Sequence, residues 1–80
     1  MNFLFNNVEQ PYIWVDISTI KPTVTDPVNE SLKDTILTEG MLQPLIVREG
    51  TEEIMFGNQR YAILKSLNIT RVPVRYKETK

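Results

Sequence analysis

Apolar and polar positions alternate from Tyr12 to Ile20, with Ile13, Val15 and Ile17 on one side and Trp14, Asp16 and Ser18 on the other. A period of two predicts a strand with one face turned to a core, and Pro22 closes it. The period then lengthens. Val28, Leu32 and Ile36 recur every four residues, which is the apolar stripe of a surface helix. Asp26-Pro27 supplies an N-cap and a proline at the first helical position, and Glu30 an acid near the positive end of the helix dipole. Gly40 suits the positive φ that ends such a helix. Beyond Gln43-Pro44, Leu45 to Arg48 and Glu53 to Phe56 read as an antiparallel hairpin, with Gly50 in the turn able to take positive φ. A second helix is expected from about Asn58 to Leu67, stopped at Asn68, a residue type that tolerates the left-handed region. After a short link from Ile69 to Arg71, Val72 to Tyr76 forms a last strand. Its Pro73 predicts a sheet edge or the start of the strand.

The order strand, helix, strand, strand, helix, strand gives an α+β fold: a small mixed sheet with two helices on one face. The division expected is an N-terminal arm over 1–11, one domain over 12–76 and a polar tail over 77–80. In the arm, Phe3, Leu4 and Phe5 form an apolar cluster that either packs on the domain or docks on a protein partner.

Composition narrows the chemistry. In 80 residues there is no cysteine and no histidine. Disulfides, thiolate metal sites, imidazole ligands, Ser-His nucleophile pairs and His general bases are therefore all absent. The net charge of −1 hides an asymmetry. Residues 1–44 carry two lysines against six carboxylates, whereas residues 45–80 carry seven basic residues against four carboxylates. That suits local anion binding, but falls short of the basic face expected of an autonomous DNA binder. No stretch is long enough to span a membrane, and Met1 to Phe5 is too short and uncharged for a signal peptide. A cytoplasmic location is the expectation.

The most informative stretch is Phe56-Gly57-Asn58-Gln59-Arg60-Tyr61-Ala62-Ile63-Leu64-Lys65. A strand ends at a glycine, Asn58 stands as a cap, and good helix formers follow. The free backbone N–H groups of such a turn, at the positive end of a dipole, make an anion site. Arg60 in the first turn gains nothing from the dipole, which points to a ligand or partner as its purpose.

Two segments carry a family resemblance. Glu39-Gly40-Met41-Leu42-Gln43-Pro44-Leu45-Ile46-Val47-Arg48 resembles the hGxxQPxxV stretch of the ParB/sulfiredoxin-like superfamily, and Gly57-Asn58-Gln59-Arg60-Tyr61 resembles its GxxRY turn. Leu67 to Val74 is similar to the LGxxxVPV ending of that superfamily, and the strand from Trp14 to Pro22 stands where its first strand does. The resemblance runs from Tyr12 to Tyr76 and implies a phosphate-binding turn that works with CTP in ParB-type members and with ATP in sulfiredoxin. It implies a nucleoside triphosphate with magnesium as cofactor, with Gly57, Asn58, Gln59 and Arg60 facing the phosphates and Gly40, Gln43 and Pro44 on the base or sugar side. Asn58 stands where sulfiredoxin has its cysteine, so sulfinic acid repair is excluded chemically. Gln59 stands where ParB has a second arginine, so one phosphate-binding charge is missing. The helix-turn-helix and dimerisation domains that follow in ParB have no counterpart here, and autonomous DNA binding is not expected.

The expectation is a stand-alone domain that binds a nucleotide or phosphate, an accessory or regulatory protein of phage or plasmid type. The alternative is a non-enzymatic module whose degraded phosphate site leaves it to bind and modulate a larger protein. Catalysis ranks below both, since Glu39, Glu49, Glu52 and Glu53 offer carboxylates for a metal or general base but read better as solvated side chains. Trp14 and Tyr61 could stack on a base, although packing is their more ordinary role.

Overall fold

The computed structural model describes residues 2–78. Its strands are β1 (Ile13–Asp16), β2 (Leu45–Arg48), β3 (Ile54–Phe56) and β4 (Arg71–Lys77), and its helices α1 (Glu30–Glu39) and α2 (Asn58–Ser66). They follow the expected order and form one four-stranded sheet, β1-β4-β2-β3, with β2 and β4 parallel and the outer pairs antiparallel. One apolar cluster unites Leu45, Val47, Ile54, Val72 and Val74 of the sheet with Ile36 of α1 and Ile63 and Leu64 of α2. The two helices thus cover one sheet face.

β4 lies in the middle of the sheet, not at the edge that Pro73 suggested. Ile17 N–H donates to the Thr70 carbonyl at 2.8 Å, in continuation of the β1–β4 register. Hydrogen-bonded pairs alternate along an antiparallel ladder, so Trp14 opposite Pro73 is a non-bonded pair and the proline nitrogen faces β2. On that side the ladder begins at Leu45, opposite Val74. The missing donor therefore falls at the foot of the ladder, where no acceptor of β2 waits for it.

β1 is shorter than the expected Tyr12 to Ile20. The Asp16 carboxylate accepts from Ser18 N–H at 2.9 Å and from its hydroxyl at 2.7 Å, and the chain folds into a 3-10 turn over Ile17–Thr19. Those two hydrogen bonds, with a smaller pull from Arg71, hold the Asp16 pKa below the usual carboxylate value. Ile17 is buried as expected, but Ile13 is 54% exposed, because β1 is an edge strand and the helices do not reach its first residue.

α1 begins later than the Asp26-Pro27 signal. Its N-cap is Asn29, whose side chain accepts from Leu32 N–H at 3.0 Å. The cause is long-range. Asn29 N–H donates to the Gln59 side-chain carbonyl, and the Gln59 amide donates to the Pro27 carbonyl, both at 2.9 Å. These bonds hold Pro27 to Asn29 extended, and Val28 enters the core from ahead of the helix. Gly40 ends α1 with φ 80°, as the sequence indicates.

The N-terminal arm is part of the core. Asn2–Phe5 forms a 3-10 helix, Leu4 is completely buried and Val8 nearly so. Met41 N–H donates to the Leu4 carbonyl at 2.8 Å and Glu9 N–H to the Leu42 carbonyl at 2.9 Å. Of the supposed docking cluster, Leu4 is thus unavailable to a partner, Phe5 is half-buried and Phe3 is exposed. At the other end Lys77 still pairs with Arg48, so the tail starts after it, and Thr79 and Lys80 lie outside the described residues.

The hairpin tip is tied to β4. Glu52 takes φ 64° and accepts from the Tyr76 hydroxyl at 2.6 Å. That hydrogen bond first, then burial and the carboxylate charge, raises the Tyr76 pKa from 10.0 to about 12. The folded state therefore favours the neutral phenol. The contribution is complete below pH 10 and is lost as pH rises toward 12. Tyr76→Phe is expected to cost about 1 kcal/mol near neutral pH and to flatten the alkaline fall in stability, measured by denaturant unfolding across pH 8–12.

Candidate functional site

The turn at Gly57 is built as the sequence suggests, but its side chains are used differently. Gly57 is the N-cap of α2 at φ 108°, ψ 22°, and no side chain caps the helix. A Cβ on Gly57 would lie 2.7 Å from Leu45 Cδ2, so glycine is required by both backbone and space. The first intrahelical bond runs from Tyr61 N–H to the Gly57 carbonyl at 2.9 Å. The amides of Asn58, Gln59 and Arg60 precede it and have no acceptor within the helix.

Asn58 is not the cap. Its side-chain carbonyl accepts from the N–H groups of Thr23 (2.9 Å) and Val24 (3.3 Å), and its amide donates to Thr23 Oγ1 at 3.0 Å. Thr23 Oγ1 in turn donates to the Ile54 carbonyl at 2.9 Å. With Gln59 on Asn29 and Pro27, two side chains of one helical turn fasten the whole 23–29 loop beside the start of α2. The side chains of Asn58 and Gln59 therefore position a loop, and their backbone N–H groups are left at the start of the helix. Arg60 is half-buried and, among the described residues, its guanidinium has no hydrogen-bond or carboxylate partner within reach.

Between the fastened loop and the outer side of α2 lies a hollow of about 260 Å³, lined by Val24, Thr25, Asp26, Asn58, Tyr61 and Lys65 among others. Lys65 Nζ stands 5.9 Å from the centre of the Tyr61 ring. Sequence reading passed over Lys65 and the loop. The four-residue step from Tyr61 was a signal for the lysine, whereas nothing local announced the loop.

The second group of expected residues, Gly40, Gln43 and Pro44, lies where the arm meets the end of α1. Gly40 is buried, and a Cβ there would lie 3.2 Å from the carbonyl oxygens of both Phe3 and Leu4. Pro44 is buried too, leaving Gln43 exposed. Of the candidate stacking residues, Tyr61 is a buried core residue and Trp14 is 42% exposed. Glu39, Glu49 and Glu53 are exposed, and Glu52 is engaged with Tyr76. Among the described residues no three carboxylates gather as a metal site, and no helix is long and apolar enough to cross a membrane.

Over 47 residues the chain is 45% identical to a nucleoid occlusion protein of Lysinibacillus sphaericus (strain C3-41), a match covering 55% of this chain and 16% of that protein. The fold resembles C-terminally truncated chromosome-partitioning protein ParB from Caulobacter crescentus, solved in complex with CTP-gamma-S, at a TM-score of 0.67 and 20% identity, covering 89% of this chain and 46% of that one. It also resembles a free serine kinase in complex with AMP, at a TM-score of 0.68 and 20% identity, covering 82% of this chain and 30% of that one. The chain spans less than half the length of each of these relatives. The match that decides the family is broader: the model of the ParB N-terminal domain covers residues 9–80, and the chain belongs to that family.

Proposed function

We propose that this domain binds a nucleotide, with its phosphates at the N-terminus of α2. The observation that carries the reading is the uncapped start of that helix. The amides of Asn58, Gln59 and Arg60 are free of intrahelical acceptors, and the two side chains that could have capped them are used to hold the neighbouring loop. Oriented N–H groups at the positive end of a helix stabilise an anion, and Arg60 adds a formal charge beside them. The complexes of two structural neighbours with CTP-gamma-S and AMP support the ligand class. Magnesium, where present, would be held chiefly by the phosphates, as is usual for this ion. On this reading the chain is a regulatory module, and the accessory role of plasmid or phage type implied by the resemblance goes with it.

Thermal unfolding in millimolar CTP, ATP or ADP with magnesium tests the reading. A nucleotide at ten times its dissociation constant is expected to raise Tm by about 7 °C. Arg60→Ala should remove most of that shift without changing the unliganded Tm by more than about 2 °C. An unchanged Tm for the native chain with all three nucleotides defeats the proposal.

The second reading, a module that modulates a larger protein, is favoured by exposed Phe3 and Leu42 around the junction of the arm with Gly40. Deleting the arm would not test it, since Leu4 and Val8 would leave the core. Surface changes at Phe3 and Leu42 that leave capture of a candidate partner intact would count against it.

A further inference from the structure

The sheet face turned away from the helices gathers every basic residue of the four strands. Side chains alternate along a strand, and directly paired residues share a face. Leu45, Val47, Val72 and Val74 enter the core, so Ile46 and Arg48 of β2 and Arg71, Arg75 and Lys77 of β4 occupy the other side. Arg48 is paired with Lys77, and Ile46 with both Arg75 and Phe56. The bulge between Ile46 and Val47 resets the alternation in β3 and brings Phe56 onto this side, where it is 63% exposed. At the opposite edge Trp14 is 42% exposed, and its partner Pro73 is fully buried, so the accessible part of the face is its rim. Trp14 is held edge-on by Phe5 at 5.3 Å and Tyr12 at 5.7 Å between ring centres. Within the strands the only acid is Asp16, opposite Arg71 at one corner.

We propose that this open face binds single-stranded nucleic acid. An exposed aromatic on each edge strand with cations on the two strands between them is the arrangement that a single strand requires. Bases stack on the rings, and phosphates lie over Arg48, Arg71 and Lys77; Arg75 is committed to the arm, donating to the Pro11 carbonyl at 2.9 Å and the Glu9 carbonyl at 3.3 Å. β1 and β3 stand three strand spacings apart, about 14 Å, a span of a few nucleotides. Four cations stand against two carboxylates here, Asp16 opposite Arg71 and Glu53 in the same hollow as Arg48 and Phe56, so the face is net positive. A plain acidic peptide would use the cations but would have no need of Trp14 and Phe56. The surface lies across the sheet from the start of α2, so it stands independently of the nucleotide site.

Trp14 is the sole tryptophan, and its emission reports on the face directly. Titrating the full chain with twelve-residue oligo(dT) and oligo(U) at low salt should quench that emission and raise the anisotropy of the labelled strand. The affinity should fall with salt at about 0.7 logarithmic units per phosphate contacted. Phe56→Ala should weaken binding about tenfold, and joint replacement of Arg48 and Lys77 by alanine should lower the salt slope by about 1.4. All three positions are at the surface, and unchanged thermal unfolding of the variants keeps the comparison clean. No anisotropy change with either strand overturns the proposal. So does equally tight binding of polyglutamate or of a duplex of the same length.

Discussion

Replacing Gly57 with alanine is expected to destabilise the domain by about 3 kcal/mol, the largest effect of any small change at the candidate site. Two costs add. At φ 108° the backbone sits where a Cβ is strained, on the order of 1–2 kcal/mol for an ordinary residue. The new methyl would also meet Leu45 Cδ2 at 2.7 Å, and Leu45 is fully buried in the core of the sheet. It cannot swing aside without opening space elsewhere, and such overpacking costs about 1–3 kcal/mol. A domain of this size has a total stability on the order of 4–12 kcal/mol, so a quarter or more of it should go. Urea unfolding of both proteins gives the difference from the midpoint at constant m-value. A loss below about 1 kcal/mol would mean that the Phe56–Asn58 turn relaxes freely and that the glycine is not structurally required. If the variant is folded, its nucleotide-dependent Tm shift should also shrink, because the amides of Asn58 to Arg60 are aimed by this turn.

Leu4→Ala is expected to cost about 3 kcal/mol. Leu4 is completely buried within the cluster that unites the sheet and both helices. Removing its side chain leaves a cavity beneath a backbone pinned by the hydrogen bond from Met41 N–H to the Leu4 carbonyl, so collapse is hindered. Phe3→Ala, at the adjacent but exposed residue, should cost less than about 0.5 kcal/mol. The contrast is the test. Equal small effects from the two variants would return the arm to the status of a loose appendage able to reach a partner. A large effect from Leu4 alone makes it a structural element of the domain, continuous with Gly40 and Met41.

The places where sequence reading went astray have a common cause. The Asp26-Pro27 start was chemically sound as a local signal, yet α1 begins at Glu30 because Gln59, thirty residues on, takes the Asn29 N–H and donates to the Pro27 carbonyl. Asn58 had the right chemistry for a cap, and its capping atoms went to Thr23 and Val24. Pro73 argued for an edge or a strand start, and β4 is central because the ladder with β2 starts at Val74, one residue too late to need the missing donor. Ile13 had the right periodicity and no helix above it.

What the amino-acid sequence determined by itself was everything set by the period of its apolar residues and by its glycines. That includes two helices, four short strands in order, the hairpin around Gly50, positive φ at Gly40, Gly50 and Gly57, and Asn68 at φ 60° as the stop after α2. These are local effects, fixed by sterics and by which face a side chain must hide. What only the tertiary structure decided was the use of the polar groups. Asn58 and Gln59 fasten a loop, the arm seals Gly40, and four strand cations meet on one open face. A hydrogen-bond donor or a charge carries no mark of its partner in the sequence, because the partner is chosen by where the fold brings the chain together.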